Sequence, residues 1–495
     1  MTQSRDVVVI GAGVGGLATA VRMAARGHRV TVLESAPTVG GKLGQHEDCG
    51  HRFDRGPSLF TMPELMEELD DLVPSDVTGR PDRFKYKTLD RSTHYFWEDE
   101  DEPLIAWTNS KRFAKDVERR WGVSSTRLLQ HLQRSKSAFE LTRGVFLERS
   151  LHEHSTYKTA AAWKLLSRFW SLPLMGSLNH YNRRKLGHSK LTQLFDRYAT
   201  YNGSDPHRAP SMLHVIPHLE HGIGTYLPEG GMRAIPLHLE RLATCLGVNI
   251  LTKTPAHRIH HANGVVIGVE DTSARIHPAD IVVSNADLHP TYRRLLPDLK
   301  APEQILGQER STSGVIFYWG VRGQHPQLSL HNILFSRDYQ REFKSIREQG
   351  TPGDDPTVYI NITSKELPND APEGHENWFV LLNVEANPEM WSPEAVAKLR
   401  EQVLAKIERT LGHRPNIVCE QILDPGTIES STSSWKGALY GASSNSAAAA
   451  FLRHRNRSTD LKGLYFCGGS VHPGGGIPLC LLGARIVDEL AHSKS

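Results

Sequence analysis

The chain opens on a strand that runs without pause into a glycine turn and then a helix. Asp6-Val7-Val8-Val9-Ile10 reads as a buried parallel strand, and Gly11-Ala12-Gly13-Val14-Gly15-Gly16 follows it directly. A helical stretch runs from Leu17 to Arg26, Gly27 stands where a helix ends, and a second strand from Arg29 to Leu33 closes on Glu34. No other feature constrains the fold as tightly. Gly11 permits the turn, Gly13 brings backbone close to a pyrophosphate, and Gly16 lets helix and strand pack together. Val14 and Gly15 stand in the turn ahead of the helix whose free N–H groups attract the anion. Glu34, with Ser35 beside it, sits where a carboxylate accepts hydrogen bonds from a ribose hydroxyl and repels a 2′-phosphate. The pattern predicts a dinucleotide-binding α/β domain.

A second group of glycines says which dinucleotide. Gly40-Gly41-Lys42-Leu43 follows the acidic residue, and Phe53-Asp54-Arg55-Gly56-Pro57-Ser58 comes shortly after. At the far end, residues 463–483 read GLYFCGGSVHPGGGIPLCLLG: a short strand, a glycine run, and a helix from about Leu479 to Ala491. A second glycine turn into a second helix N-terminus offers N–H groups to the pyrimidine oxygens of a flavin, where charge builds on reduction. A nicotinamide half-site has no use for it. The expected cofactor is therefore FAD, with Gly469, Ser470, Gly476, Ile477 and Pro478 as contacts at this end.

At 495 residues the chain exceeds what one core supports, so two or three lobes are expected. The net charge of +3 and the absence of a long basic run argue against a nucleic-acid partner. The five cysteines, at 49, 245, 419, 467 and 480, form no CxxC pair, and a reducing compartment is expected. His257, His260 and His261 lack a surrounding ligand set, so no metal is expected. The opening residues lead into the glycine turn rather than a cleavage site, so no leader is expected. No apolar run reaches the ~18 residues of a spanning helix.

The C-terminal stretch resembles the signature of bacterial-type phytoene dehydrogenases, the carotenoid desaturase family. Tyr465, Gly468, Gly469, Ser470, His472, Pro473, Gly474, Gly476, Ile477 and Pro478 match it, while Val471 and Gly475 depart from it. The resemblance covers nearly the whole chain. Residues 53–58 look like the family's segment beside the flavin, with Pro57 and Ser58 among its contacts. Residues 225–232, TYLPEGGM, and 279–287, ADIVVSNAD, look like its later motifs; the resemblance implies that Asn285 is among the FAD contacts and that Ala256 meets the adenine. Within the family, residues 56–65, 194–231, 330–339 and 355–365 look most like 1-hydroxycarotenoid 3,4-desaturases. Glu229 stands where some phytoene desaturases carry Arg, which weighs against the phytoene reading and against carrying over their charged residues.

The resemblance implies a Rossmann-type FAD-binding domain, a mixed-sheet substrate domain, and a helical lid or membrane-facing subdomain. Residues 1–72, 223–300 and 455–495 would form the first, 301–454 the second, and 73–222 the third. Strand-like runs at Gly314–Val321, Thr357–Thr363 and Trp378–Val384 suit the substrate sheet, and Ala447–Ala450 reads as helical. Tyr157–Leu178 carries Trp163, Leu165, Leu166, Phe169, Trp170, Leu172 and Leu174 among Lys158, Lys164 and Arg168. It reads either as an interfacial amphipathic segment or as a buried helix lining the core or the substrate tunnel.

The implied partners are an acyclic carotenoid, a membrane surface, and oxygen or a quinone as electron acceptor. The implied location is the cytoplasm, peripherally on the inner face of the cell membrane. Desaturation would take a hydride from C4 to the flavin and a proton from C3. Glu220, between His218 and His221, is the candidate proton acceptor, because a buried carboxylate near a flavin can be tuned toward neutral pKa; its alternative is a hydrogen-bonded structural residue. Phytoene or diapophytoene desaturation, redox-neutral carotenoid isomerisation and lipid escort without catalysis stay open beside the 3,4-desaturase reading.

Overall fold

The computed structural model describes residues 3–446, 449 and 453–493, so the helical patch expected at Ala447–Ala450 lies, apart from residue 449, outside the described residues. Its nucleotide sheet has five parallel strands in the order Leu464–Phe466, Ile281–Ser284, Asp6–Ile10, Arg29–Leu33 and Asn249–Leu251. The opening strand is central. Val7 to Ile10 are buried because layers cover both faces of the sheet. The helix Val14–Ala25 packs Leu17, Val21 and Ala24 into a core shared with Leu239 and Leu242 of Ala234–Cys245 and with Leu481 of Ile477–His492. Arg26 clamps Asp488 through two hydrogen bonds of 2.6 and 2.9 Å, tying the opening helix to the last one. A meander of Ala256–Ala262, Val265–Asp271 and Ile276–Pro278 extends this part of the molecule.

The second sheet has seven strands, ordered Asn416–Leu423, Ser313–Arg322, His375–Val384, Val358–Ile362, His331–Leu334, Arg91–Phe96 and Leu104–Trp107. Its long strand Ser313–Arg322, second from one edge, shows how a two-residue period divides the labour. Val315, Phe317, Trp319 and Val321 face one core, completed by Val396, Leu399, Val403 and Ile407 of the helix Pro393–Leu411. Ile316 and Tyr318 face the other way, against Phe53, Phe379 and Leu423. That second face looks onto the functional cavity.

Two expectations need correction. Arg91–Phe96 and Leu104–Trp107 fall in the region expected to be helix-rich, yet they complete the substrate sheet. The joint is a parallel pairing of His94, Tyr95 and Phe96 with Asn332, Ile333 and Leu334, across more than two hundred residues of chain. Local pattern carries no trace of such a partner. The second concerns Tyr157–Leu178, where the buried-helix alternative fails. Leu165 and Leu172 are tucked in, but Trp163 is 66% exposed and Trp170 and Met175 are each 90% exposed. Among the described residues, no helix is long and apolar enough to cross a membrane.

One buried carboxyl sets a pH dependence. Glu342, on the helix Tyr339–Gln349, accepts hydrogen bonds from Ser336 Oγ (2.6 Å), Thr357 Oγ1 (2.6 Å) and the Thr357 N–H (2.9 Å). Burial outweighs these donors and pushes its pKa from 4.5 up to about 7. A carboxyl raised on folding contributes stability that is fully present below the unfolded pKa and is lost as pH rises through the folded one. Glu342→Gln keeps the contacts without the titration. Between about pH 5 and 8 the wild-type melting temperature should therefore fall relative to the variant, by about 2 °C or more; parallel curves across that window would place the titration elsewhere.

Candidate functional site

A single cavity of about 1360 Å³ runs between the two sheets, lined by the glycine turns at one end and by apolar side chains toward the other. Most small-ligand pockets enclose roughly 300–1,000 Å³. The size suits a dinucleotide together with a second, elongated molecule.

The nucleotide end is built on contacts that no side chain could enter. Asn285, at the end of the strand Ile281–Ser284, donates its backbone N–H to Ile10 O at 2.9 Å and lays its carboxamide beneath the turn. A Cβ at Gly13 would stand 2.9 Å from Asn285 Nδ2, and a Cβ at Gly15 or Gly468 2.7 Å from its Oδ1. At Gly16 a Cβ would meet the Gly11 carbonyl at 2.0 Å. Gly11, Gly13 and Gly15 line the cavity together with Val14 and Asn285. Gly16 does not; its part is the close packing that holds the turn.

Two helices begin on this one cavity. Val14–Ala25 starts at Gly13 and Ile477–His492 starts at Gly476, and neither end has a side-chain cap. Their first N–H groups therefore lack the usual local acceptor. Gly476 has φ +111°, and a Cβ there would meet nothing within 4 Å, so the space ahead of the second helix is open. One uncapped N-terminus suits a pyrophosphate and the other the electron-rich edge of a flavin. Glu34 completes the acceptor side. Its carboxylate is fixed by the Ala12 N–H (2.7 Å) and the Ala36 N–H (2.8 Å), with Ser35 Oγ at 3.3 Å, and it retains lone pairs for a hydroxyl. These residues fit FAD.

The other predicted contacts gather around the same space: Gly41, Lys42, Leu43, Pro57, Ser58, Ala256, Gly469, Ser470, Ile477 and Pro478 all line it. Lys42 is half-buried, desolvation pulls its amine down to about 8, and Nζ donates to the carbonyls of Leu439 (2.7 Å) and Ala438 (3.3 Å). Ser470 Oγ accepts from the Leu288 N–H at 3.1 Å. The two motifs around Asp54 and Gly231 interlock: Asp54 accepts the N–H groups of Met232 (2.9 Å) and Arg233 (3.2 Å), while Arg52 grips Asp54 at 2.7 Å.

Glu220 behaves otherwise than expected. It is fully buried, is not among the cavity-lining residues, and accepts from Ser92 Oγ (2.8 Å), Tyr198 Oη (2.9 Å), Tyr201 Oη and Arg197 Nη2 (3.4 Å). Burial pushes its carboxyl up, but the Arg197 guanidinium, His221 and the hydroxyl donors outweigh that and hold it below the usual carboxylate range. Its roughly four acceptor positions are taken. The expectation of a near-neutral proton acceptor is thereby replaced by a structural anion that positions Arg197. Glu229 is exposed and also lies away from the cavity lining.

Sequence reasoning missed the polar groups that do reach the cavity: Arg197, Tyr201, His331 and Tyr359. Arg197 Nη2 donates to Tyr95 Oη at 2.7 Å, and its guanidinium lies 4.9–5.3 Å from the ring centroids of Tyr198, Tyr201 and Tyr95. The only signal for it was an arginine among tyrosines in residues 197–201. His331 and Tyr359 sit on adjacent strands of the substrate sheet, and nothing in their local sequence joins them.

The apolar end is walled by Phe139, Phe146 and Leu147 near the helix Ser125–Phe146, by Met212 and Leu213, and by Ile316, Phe379 and Leu381 of the sheet. Outside it, Leu165 and Leu172 pack on Ala138, Leu141, Val145 and Met212. A continuous apolar layer thus joins the exposed segment around Trp170 to the cavity wall.

Comparison with known proteins agrees with this arrangement. Residues 14–489 match the family described as flavin containing amine oxidoreductase. The chain is 46% identical over 492 residues to a 1-hydroxycarotenoid 3,4-desaturase of Flavobacterium sp. (strain P99-3), covering 98% of this chain and 99% of that one. It is 29% identical to a 4,4'-diapolycopene oxygenase of Methylomonas sp, covering 98% of each. A crystal structure of an oxidoreductase from Methanosarcina mazei superposes with a TM-score of 0.64 at 18% identity, over 98% of this chain and 100% of that one.

Gly16→Ala is expected to abolish stoichiometric FAD retention, since the added carbon meets backbone that cannot swing aside. The flavin absorbance of the purified variant checks this; full occupancy would mean that the turn relaxes freely.

Proposed function

The chain belongs to the flavin containing amine oxidoreductase family, and we propose that within it the protein is an FAD-dependent desaturase that introduces a C3–C4 double bond into acyclic 1-hydroxycarotenoids. The observation that carries this reading is 46% identity along the full length of a 1-hydroxycarotenoid 3,4-desaturase. The form of the cavity supports it, with an anion cradle at one end opening into a long apolar passage. FAD, when bound, supplies the acceptor for the hydride removed from the substrate, and oxygen or a quinone takes the electrons in turn.

The residues of this chain bind, orient and exclude water. The turn at Gly11–Gly16 would hold the pyrophosphate of the cofactor, the N-terminus of Ile477–His492 its flavin ring, and Glu34 its adenosine ribose. Ile316, Phe379 and Leu381 form a flat apolar wall from one face of the substrate sheet, against which a stiff polyene can lie. Such a wall keeps water from the reacting carbons. Two acids line the cavity, and both are committed. Glu34 is held by backbone N–H groups, and Asp287 pairs with Arg310 at 2.7 Å. The protein thus positions the substrate rather than offering it a strong base.

The exposed segment supports a membrane-surface location. Trp163, Leu166, Trp170 and Met175 face outward beside the exposed Lys164 and Arg168, the composition of an interfacial anchor. Through Leu165 and Leu172 it rests on the layer that walls the cavity, which suits a substrate drawn from the bilayer.

Two measurements test these statements. With 1-hydroxy acyclic carotenoids the purified holoenzyme should yield a red-shifted product lighter by two hydrogens. Conversion of phytoene instead, or a new retention time at unchanged mass, would overturn the 3,4-desaturase assignment. Trp170→Glu combined with Met175→Glu should lower partitioning onto anionic phospholipid vesicles about 10-fold or more without loss of FAD; undiminished partitioning would refute the membrane contact.

A further inference from the structure

The cavity beyond the glycine turns is mostly apolar, yet a connected polar chain interrupts its wall. Ser58 Oγ lies 2.5 Å from Tyr359 Oη, and Tyr359 Oη lies 2.8 Å from His331 Nδ1. The Asn361 carboxamide meets the same ring nitrogen at 3.1 Å, and its Nδ2 donates to the Leu330 carbonyl at 2.9 Å. A carbonyl only accepts, so the second contact fixes which end of the Asn361 amide carries hydrogen. His331 Nδ1 therefore receives an N–H and is the acceptor nitrogen of the ring. Burial pulls the ring's pKa down to about 4, so at neutral pH it carries one proton, on Nε2.

That Nε2 is buried and has no hydrogen-bond partner. Arg197 Nε is in the same state, although the Nη atoms of Arg197 are engaged by Tyr95, Tyr201 and Glu220. Both residues line the cavity, and the Arg197 charge acts on the His331 ring. Native interiors seldom leave such donors unpaired, and each orphan calls for an explanation. Here two such atoms belong to side chains that line one largely apolar cavity, both donors and neither an acceptor.

We propose that His331 Nε2–H and Arg197 Nε–H receive the oxygen of the substrate's tertiary 1-hydroxyl, which makes His331 the specificity-determining residue that confines the enzyme to hydroxylated chains; this rests on the desaturase reading above. An alcohol oxygen has two lone pairs, one for each donor. In a 1-hydroxycarotenoid the carbon bearing that oxygen is separated from C3 by C2 alone. Whatever reads the hydroxyl must therefore stand beside the reacting carbons. The polar chain meets that requirement, because it starts at Ser58, in the loop next to Pro57 at the cofactor end of the cavity. Tyr359 and Asn361 then act as positioning residues that hold the tautomer. A chain without the hydroxyl would leave both donors unpaired, and a site of this kind rejects such an analogue strongly.

The test compares kcat/KM of the holoenzyme for a 1-hydroxy acyclic carotenoid and for the same chain lacking the hydroxyl, in wild type, His331→Phe and His331→Gln. Flavin absorbance reports folding in each case. His331→Phe should lose at least about 10-fold of the wild-type preference, while His331→Gln, which keeps an N–H, should retain most of it. If His331→Phe fails to hold FAD, Tyr359→Phe carries the test and should lower the preference with flavin content intact. A preference unchanged in these variants overturns the role of His331 and leaves the desaturase reading standing. Wild-type enzyme inert toward the hydroxylated chain would instead sink that reading, and this inference with it.

Discussion

The whole molecule depends on a contact that only hydrogen can occupy. The Gly16 Cα packs against the Gly11 carbonyl, and the Asn285 carboxamide fills the space where side chains at positions 13, 15 and 468 would be. This brings together the first strand, the strand ending at Ser284 and the turn after Phe466, three pieces of chain far apart in sequence. With the side chains absent, main-chain N–H groups become the surface of the cavity. Everything the cofactor end can do follows from that exposed backbone.

The seven-stranded sheet plays the complementary part. One face is sealed by the helix Pro393–Leu411 and serves stability; the other faces the cavity and serves the substrate. Because side chains alternate along a strand, Ser313–Arg322 contributes to both at once. Tyr359, His331 and Asn361 of the polar chain are set into the second face, where paired strands hold them in register, and Ser58 joins them from its loop.

How much of this was legible beforehand follows the range of the interactions. The glycine turn, the helix after it and Glu34 are a local pattern, and nearly all the residues that it and the C-terminal motif single out line the one cavity. Among the expected cofactor contacts Gly16 is the exception, and packing explains it. The strands at 91–107 were invisible because their partner lies at 331–334. Tyr157–Leu178 has the same amphipathic periodicity whether its apolar face is buried in the protein or left open, so only the observed exposure of Trp170 and Met175 separates the two. Glu220 was attractive as an acid between two histidines. Arg197, Tyr198, Tyr201 and Ser92 surround it instead, and all but the last come from a single short helical segment whose inward direction no pattern announces. His331 escaped notice because its role depends on a neighbouring strand.

The two uncapped helix N-termini on a single cavity have a consequence for the protein's biosynthesis. One begins at Gly13 and the other at Gly476, so the cradle is shared between the earliest and the latest parts of the chain to be made. A nascent polypeptide presents the first glycine turn alone, with the edge strand Leu464–Phe466 and the second N-terminus still to be synthesised. Cofactor loading is therefore an event of the completed chain. A ligand seated on both N-termini would join the earliest and the latest parts of the chain, and by binding only the folded form it would stabilise their union.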